Sequence, residues 1–179
     1  MPNHVVNELI FRDVPQETRQ LIIDTICDEK GDVDFEKLLP MPLNAWRGSV
    51  GSNHEKAFPQ NGMDWATQNW STKWNAYSHK PTETTDDSIT FRFETAWRPP
   101  YGWLVAVLNT LKISFEHNWL SEGESVGHRG TWKYGKPAAP FSDYEWKEEV
   151  EEVGTPLQRH LHLLQSGCEE FPDDEDTDD

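Results

Sequence analysis

The sequence predicts a single α+β domain, a sheet covered by helices on one face, with acidic helices at its C-terminal end. Three observations predict it. Segments that alternate like strands, HVVNELIF, SITFRFETAW and ISFEHNWL, are interleaved with segments of helical period. At 179 residues and 35% apolar content, the chain fills one core and is too short for two ordinary domains. Sheets and helices each hide one face, so this order of elements packs as two layers joined by right-handed crossovers.

The first strand is expected over residues 4–11, with Val5, Leu9 and Phe11 on one side, Val6 and Ile10 on the other, and both faces partly buried. Asp13 stands three before Gln16 with Pro15 between, a capping pattern that predicts a helix through Lys30 ended by Gly31, with Leu21, Ile22 and Ile26 on its apolar face. DFEKLLPMP reads as a short helical turn, followed by a long loop rich in Gly, Ser and Asn over 44–62. Asn61 and Asp64 are spaced for a helix start, and Met63, Ala66, Trp70, Trp74 and Tyr77 form one stripe at steps of three and four. Trp70 and Trp74 are therefore expected in the core, leaving Trp65, Asn69 and Lys73 for function.

Residues 80–88 read as a polar loop. The strand after them aims Ile89, Phe91, Phe93 and Trp97 one way and Arg92 and Glu94 the other. Pro99 and Pro100 open a helix whose face is Trp103, Leu104, Val107, Leu108 and Leu111. A strand over 113–120 follows, and SEGES turns the chain back into HRGTWKY. Phe141, Ser142, Glu145 and Trp146 carry a capping box and a hydrophobic staple, which predict a helix from Asp143. Thr155, Pro156 and Gln158 start another, bearing Leu157, Leu161 and Leu164. The order strand, helix, strand, helix, hairpin points to a ferredoxin-like α+β sandwich. The expected division is that domain over 1–142, a helical extension packed on it over 143–167, and a disordered acidic tail over 168–179.

Charge is uneven. From Asp143 onward there are 14 acidic residues against Lys147 and Arg159, so this end carries −12 of the total −16 and the preceding 142 residues only −4. Such a run is either a solvated solubility segment or a phosphate-like surface for a basic partner. Direct nucleic-acid binding is not expected, because it needs clustered Lys and Arg. The partner expected is a host protein, with Asp143, Glu145, Glu148, Glu149, Glu151 and Glu152 as its candidate contacts. No apolar run reaches the ~20 residues that span a bilayer, and the N-terminus has no signal-peptide pattern, so a cytoplasmic protein is expected. Cys27 and Cys168 form no CxxC and are expected as free thiols.

NWSTKWNAY followed by FETAWRPP is more specific than composition. With MPNHVVNELIF, LLPMP and ESVGHRGTW, spread over residues 1–135, it resembles the YubB-like family of plasmid and phage proteins. The resemblance implies a ferredoxin-like domain and a mobile-element origin, and no particular reaction. "Ferredoxin-like" names a topology here, since two distant cysteines supply no iron–sulfur ligand set.

Seven histidines give no HxxxH or HExxH pair, and no metal or cofactor is expected. His117 lies in phase with Phe115 and Trp119 and is read as a hydrogen-bonded core residue. The candidate ligand site combines Trp65, Asn69, Lys73 and Asn75 with Glu94 and Trp97 from the central strand, and Glu122 and Arg129 from the hairpin. Such a set supplies Glu94 as a base beside Lys73. The plainer alternative is a Lys73–Glu94 ion pair between helix and sheet, with the asparagines satisfying loop backbone. Two functions follow: a non-enzymatic interaction protein, in its sharper form a counter-defence inhibitor presenting acid to a nucleic-acid-handling host protein, or a small ligand-binding or hydrolytic domain.

Overall fold

The computed structural model describes residues 3–48, 61–135 and 144–167. Its elements are β1 (His4–Phe11), α1 (Gln16–Ile26), α2 (Phe35–Leu38), α3 (Gly62–Asn69), β2 (Tyr77–Thr84), β3 (Ile89–Ala96), α4 (Tyr101–Leu111), β4 (Phe115–Ser121), β5 (Gly127–Tyr134), β6 (Tyr144–Glu151) and α5 (Pro156–Ser166). The strands form one antiparallel sheet in the order β2-β3-β1-β4-β5-β6. Strands β1 to β4, with α1 and α4 as crossovers, have the ferredoxin-like order, and β5 and β6 extend that sheet past β4.

The alternation of β1 decides the layers. Leu9 and Phe11 join Phe91, Phe93, Phe115 and Trp132 on the face covered by Ile22 and Ile26 of α1 and by Trp103, Leu104, Val107 and Leu108 of α4. Each of these side chains is worth about 1.5–3 kcal/mol when fully buried. On the opposite face Val6 and Leu120 meet Leu161 of α5, with Leu157 and Leu164 beside them. Helices therefore lie on both faces, α5 alone on the second, which is why both sides of β1 are apolar.

Several local expectations are corrected. The acidic segment from Asp143 does not fold as a helix: Tyr144–Glu151 pairs along β5 as β6, with Trp146 opposite Trp132. Its capping pattern loses to period-two pairing of its aromatic side chains against an existing strand. Asp143 itself, the acidic tail and Cys168 lie outside the described residues. Residues 80–84, read as loop, belong to β2, an edge strand whose polar side chains and Pro81 suit an edge. Helix α1 ends at Ile26 rather than Lys30, because Cys27 pairs with Val33 and the Asp28 carboxylate accepts the N–H groups of Lys30 and Asp32. Its N-cap is Pro15, with no side-chain cap, and Leu21 is exposed.

Other starts are as read. Asn61 caps α3 by accepting the Asp64 N–H at 2.8 Å, and Thr155 caps α5 through the Gln158 N–H. Helix α3 nevertheless stops at Asn69. Trp70 remains buried, but the predicted stripe breaks there and Trp74 turns out to solvent. Ser71, with φ 71°, makes the break.

Candidate functional site

The eight predicted ligand residues separate into three places. Trp65 packs edge-on against Trp70 with ring centroids 5.2 Å apart. Asn69 donates to the Trp65 carbonyl and so closes α3. The Asn75 side-chain oxygen accepts from Phe35 N–H and its amide donates to Asp34, so this residue ties the α2 start to the loop before β2. These are structural duties. Arg129 lies on β5 and pairs with Glu151 of β6 at 3.1 Å.

Lys73, Glu94, Trp97 and Glu122 do share a neighbourhood, at the end of the sheet where β1 and β2 begin and β3 ends. The Lys73 ammonium lies over two indoles, 4.9 Å from the Trp74 centroid and 4.7 Å from the Trp97 centroid. It forms neither the predicted ion pair with Glu94 nor any other ion pair among the described residues. Trp74 packs on Tyr77, whose hydroxyl is 2.6 Å from His4 Nδ1 and donates to the Thr95 carbonyl at 3.2 Å. His4 Nδ1 is also 3.4 Å from Glu94, and the His4 backbone N–H donates to Glu122. Burial, with the charges of Glu94 and Glu122, pushes the Tyr77 hydroxyl up to about 12, so it stays protonated. His4 and Tyr77 were not singled out in the sequence, because pairing across 73 positions leaves no local signal.

Trp97 does not continue the apolar face of β3. It follows the strand with φ 77°, held by its N–H to the Asn3 carbonyl at 2.8 Å. A bulky residue in this left-handed region costs on the order of 1–3 kcal/mol. Trp74 is 40% exposed and Trp97 42%, so burial explains neither fully. On the other side of Lys73 and Trp74 is an open cleft of about 600 Å³, whose walls include Trp70, Met41 and the Arg47–Glu36 ion pair.

A second constellation was missed in the sequence. Glu8, buried in the middle of β1, accepts from Arg92 at 2.7 Å and lies 2.8 Å from His160 Nε2 of α5. Burial opposes its charge, but the hydrogen bonds from His160 and Arg92 outweigh burial and lower its pKa to about 2. Arg92 also donates to Glu83 at 3.0 Å. The cluster pins α5 to the sheet. The helix-bearing face has its own polar pair: His117 Nε2 meets Asn7 Oδ1 at 3.0 Å, while the Asn7 amide donates to Thr95 and Val5. Nε2 therefore carries the proton, and burial pulls the His117 pKa down to about 3, which makes it the core histidine that its phase predicts.

The acidic candidates lie along β6, the outer strand. Alternation puts Trp146, Glu148 and Val150 on the helix-bearing face, and Glu145, Lys147, Glu149 and Glu151 on the other. Glu148 accepts from the Tyr101 hydroxyl at 2.7 Å and from the Trp119 indole at 3.2 Å. Glu149 pairs with Lys147. Among the described residues Glu145 and Glu152 have no ion pair, no strand pairs with the outer side of β6, and Trp146 and Val150 are exposed. No cluster of three or more potential metal ligands occurs among the described residues, and no described helix is long and apolar enough to cross a membrane.

The fold and these sites define an α+β protein with a ferredoxin-like domain whose sheet is extended by an acidic outer strand. Residues 69–155 match the family model described as the ferredoxin-like domain in Api92-like protein. The similarity runs from the end of α3 through β6 and leaves out β1, the strand at the centre of the sheet. No curated protein and no solved structure matches the chain.

Proposed function

We propose that this chain is a non-enzymatic interaction protein that binds a basic partner along β6. The observation that carries the reading is the strand itself: an outer edge with Glu145, Glu148, Glu149 and Glu151 against Lys147 alone, Glu152 next to it, and exposed Trp146 and Val150 between the charges. An open edge offers backbone hydrogen bonds to an extended segment, its apolar side chains offer contact area, and its carboxylates select for Lys and Arg. A resemblance to plasmid and phage proteins supports a bacterial host protein that handles nucleic acid as the partner, with counter-defence as the purpose. Such proteins carry the basic surfaces that an acidic strand mimics or covers.

The hydrolytic alternative loses its expected arrangement, since Lys73 lies on tryptophans and Glu94 faces His4. The test is capture from bacterial lysate with the wild-type chain and with Glu145→Lys/Glu149→Lys, in low and high salt, followed by direct binding of each captured protein. The reading expects a basic partner that the wild-type chain retains in low salt and that the charge-reversed variant loses. Retention that is equal for both chains and indifferent to salt overturns it.

A further inference from the structure

We infer that Trp74 and Trp97 form an aromatic slot for a lysine or arginine side chain of a partner, and that Lys73 occupies this slot in the free protein. The structure shows the ligand chemistry directly, because an alkylammonium already sits within 5 Å of both ring centroids. A cation over an indole face is held by the ring quadrupole, and two faces hold it better than one. Three further observations separate this arrangement from ordinary packing. Both indoles are more than a third exposed, so the slot opens to solvent. Ser71 and Trp97 take left-handed φ values of 71° and 77°, so the two segments that carry the rings are bent into place on both sides. Lys73 is held by the rings and by no carboxylate among the described residues, so its side chain can leave without breaking an ion pair.

Net charge selects the incoming ligand. A chain of −16 concentrates cations around itself and repels anions, and the nearby carboxylates of Glu94 and Glu122 reinforce that choice. The occupant is a basic side chain, and its identity as a partner's residue rests on the reading of β6 given above. Lys73 then sets the threshold. As a tethered competitor it is present at an effective concentration in the millimolar range or higher, so only a cation delivered by an already docked partner displaces it. The slot would thus report docking made elsewhere on the molecule.

The test is a titration of the full-length chain with Nα-acetyl-lysine N-methylamide, followed through the indole N–H resonances of Trp74 and Trp97 by NMR. Nα-acetyl-norleucine N-methylamide serves as the uncharged control. Lys73→Ala is expected to bind the lysine probe with both resonances shifting saturably, at least tenfold more tightly than wild type, and to ignore the norleucine probe. Trp97→Gly in the Lys73→Ala background should abolish the shift at Trp74. A folded Lys73→Ala chain that gives no saturable shift, or that responds equally to norleucine, overturns the inference. If Lys73→Ala does not fold, Lys73→Gln keeps the aliphatic stem and is read by the same criteria. Failure of the probe with partner capture intact counts against the slot alone. Loss of capture on β6 reversal with the probe still bound leaves both proposals standing, and capture unaffected by that reversal counts against the β6 reading alone.

Discussion

Replacing Glu8 by Gln tests whether the cluster under α5 is held by charge. A carboxyl at about 2 rather than its ordinary 4.5 favours the ionised, folded state by about 3 kcal/mol. The sign is fixed by the direction: a lowered carboxyl pKa stabilises the fold above pH 4.5, and that contribution is lost as pH falls towards 2. Glu8→Gln keeps the shape, removes the charge, and leaves Arg92 with Glu83 as its remaining carboxylate. At pH 7 the variant should be less stable by about 2–3 kcal/mol, roughly 4–12 °C in melting temperature for a chain of this size. Urea unfolding, followed by circular dichroism at a series of pH values from 7 to 2.5, gives the difference between the two proteins. Taking the difference cancels the titration of every other group that is not coupled to Glu8. The gap should narrow steadily below pH 4.5. A gap of the same size at pH 3 as at pH 7 would show that shape, and not charge, holds α5 against the sheet.

Three further outcomes follow from the same geometry. A Cβ at Gly102 would stand 2.2 Å from the Asn69 carbonyl oxygen, backbone against backbone, so Gly102→Ala should cost about 2 kcal/mol or more despite Ala's better helix propensity; equal stability in urea would refute the close approach of α3 and α4. At φ 77° Trp97→Gly should be more stable than Trp97→Ala by about 1 kcal/mol, measured by thermal unfolding, and the reverse order would refute the strain. His117, neutral down to about pH 3 in the fold but ordinarily titrating near 6.5, makes stability decline as pH falls below 6.5, because the unfolded chain takes up the proton first. His117→Phe should flatten that decline while costing about 1–3 kcal/mol at pH 7 for the stranded Asn7 oxygen; an unchanged pH profile in urea unfolding would refute the assignment.

The sequence by itself determined the elements whose signals are local. Asn61 and Thr155 cap the helices they were expected to cap, the proline pair starts α4, and alternation marks β1 and β3 as half- or fully buried strands. These depend on neighbours within a few positions, and the ferredoxin-like order of β1 to β4 follows once they are joined by the shortest allowed crossovers. The segment from Tyr144 carried two competing local signals, a capping box for a helix and alternating aromatics for a strand. Only the presence of β5, with Trp132 waiting opposite Trp146, chose between them. The candidate site divided on the same principle. Asn69 and Asn75 look functional in a linear reading because unpaired amides are suggestive, but the fold spends both on backbone within its own loops. The Glu8–Arg92–His160 cluster spans 84 and 152 positions of sequence, and its members lie in segments that look apolar or merely charged. Long-range pairing of this kind is set by sheet register and by where α5 lands, so only the tertiary structure places those charges together, and only it turns Trp74 and Trp97 outward around Lys73.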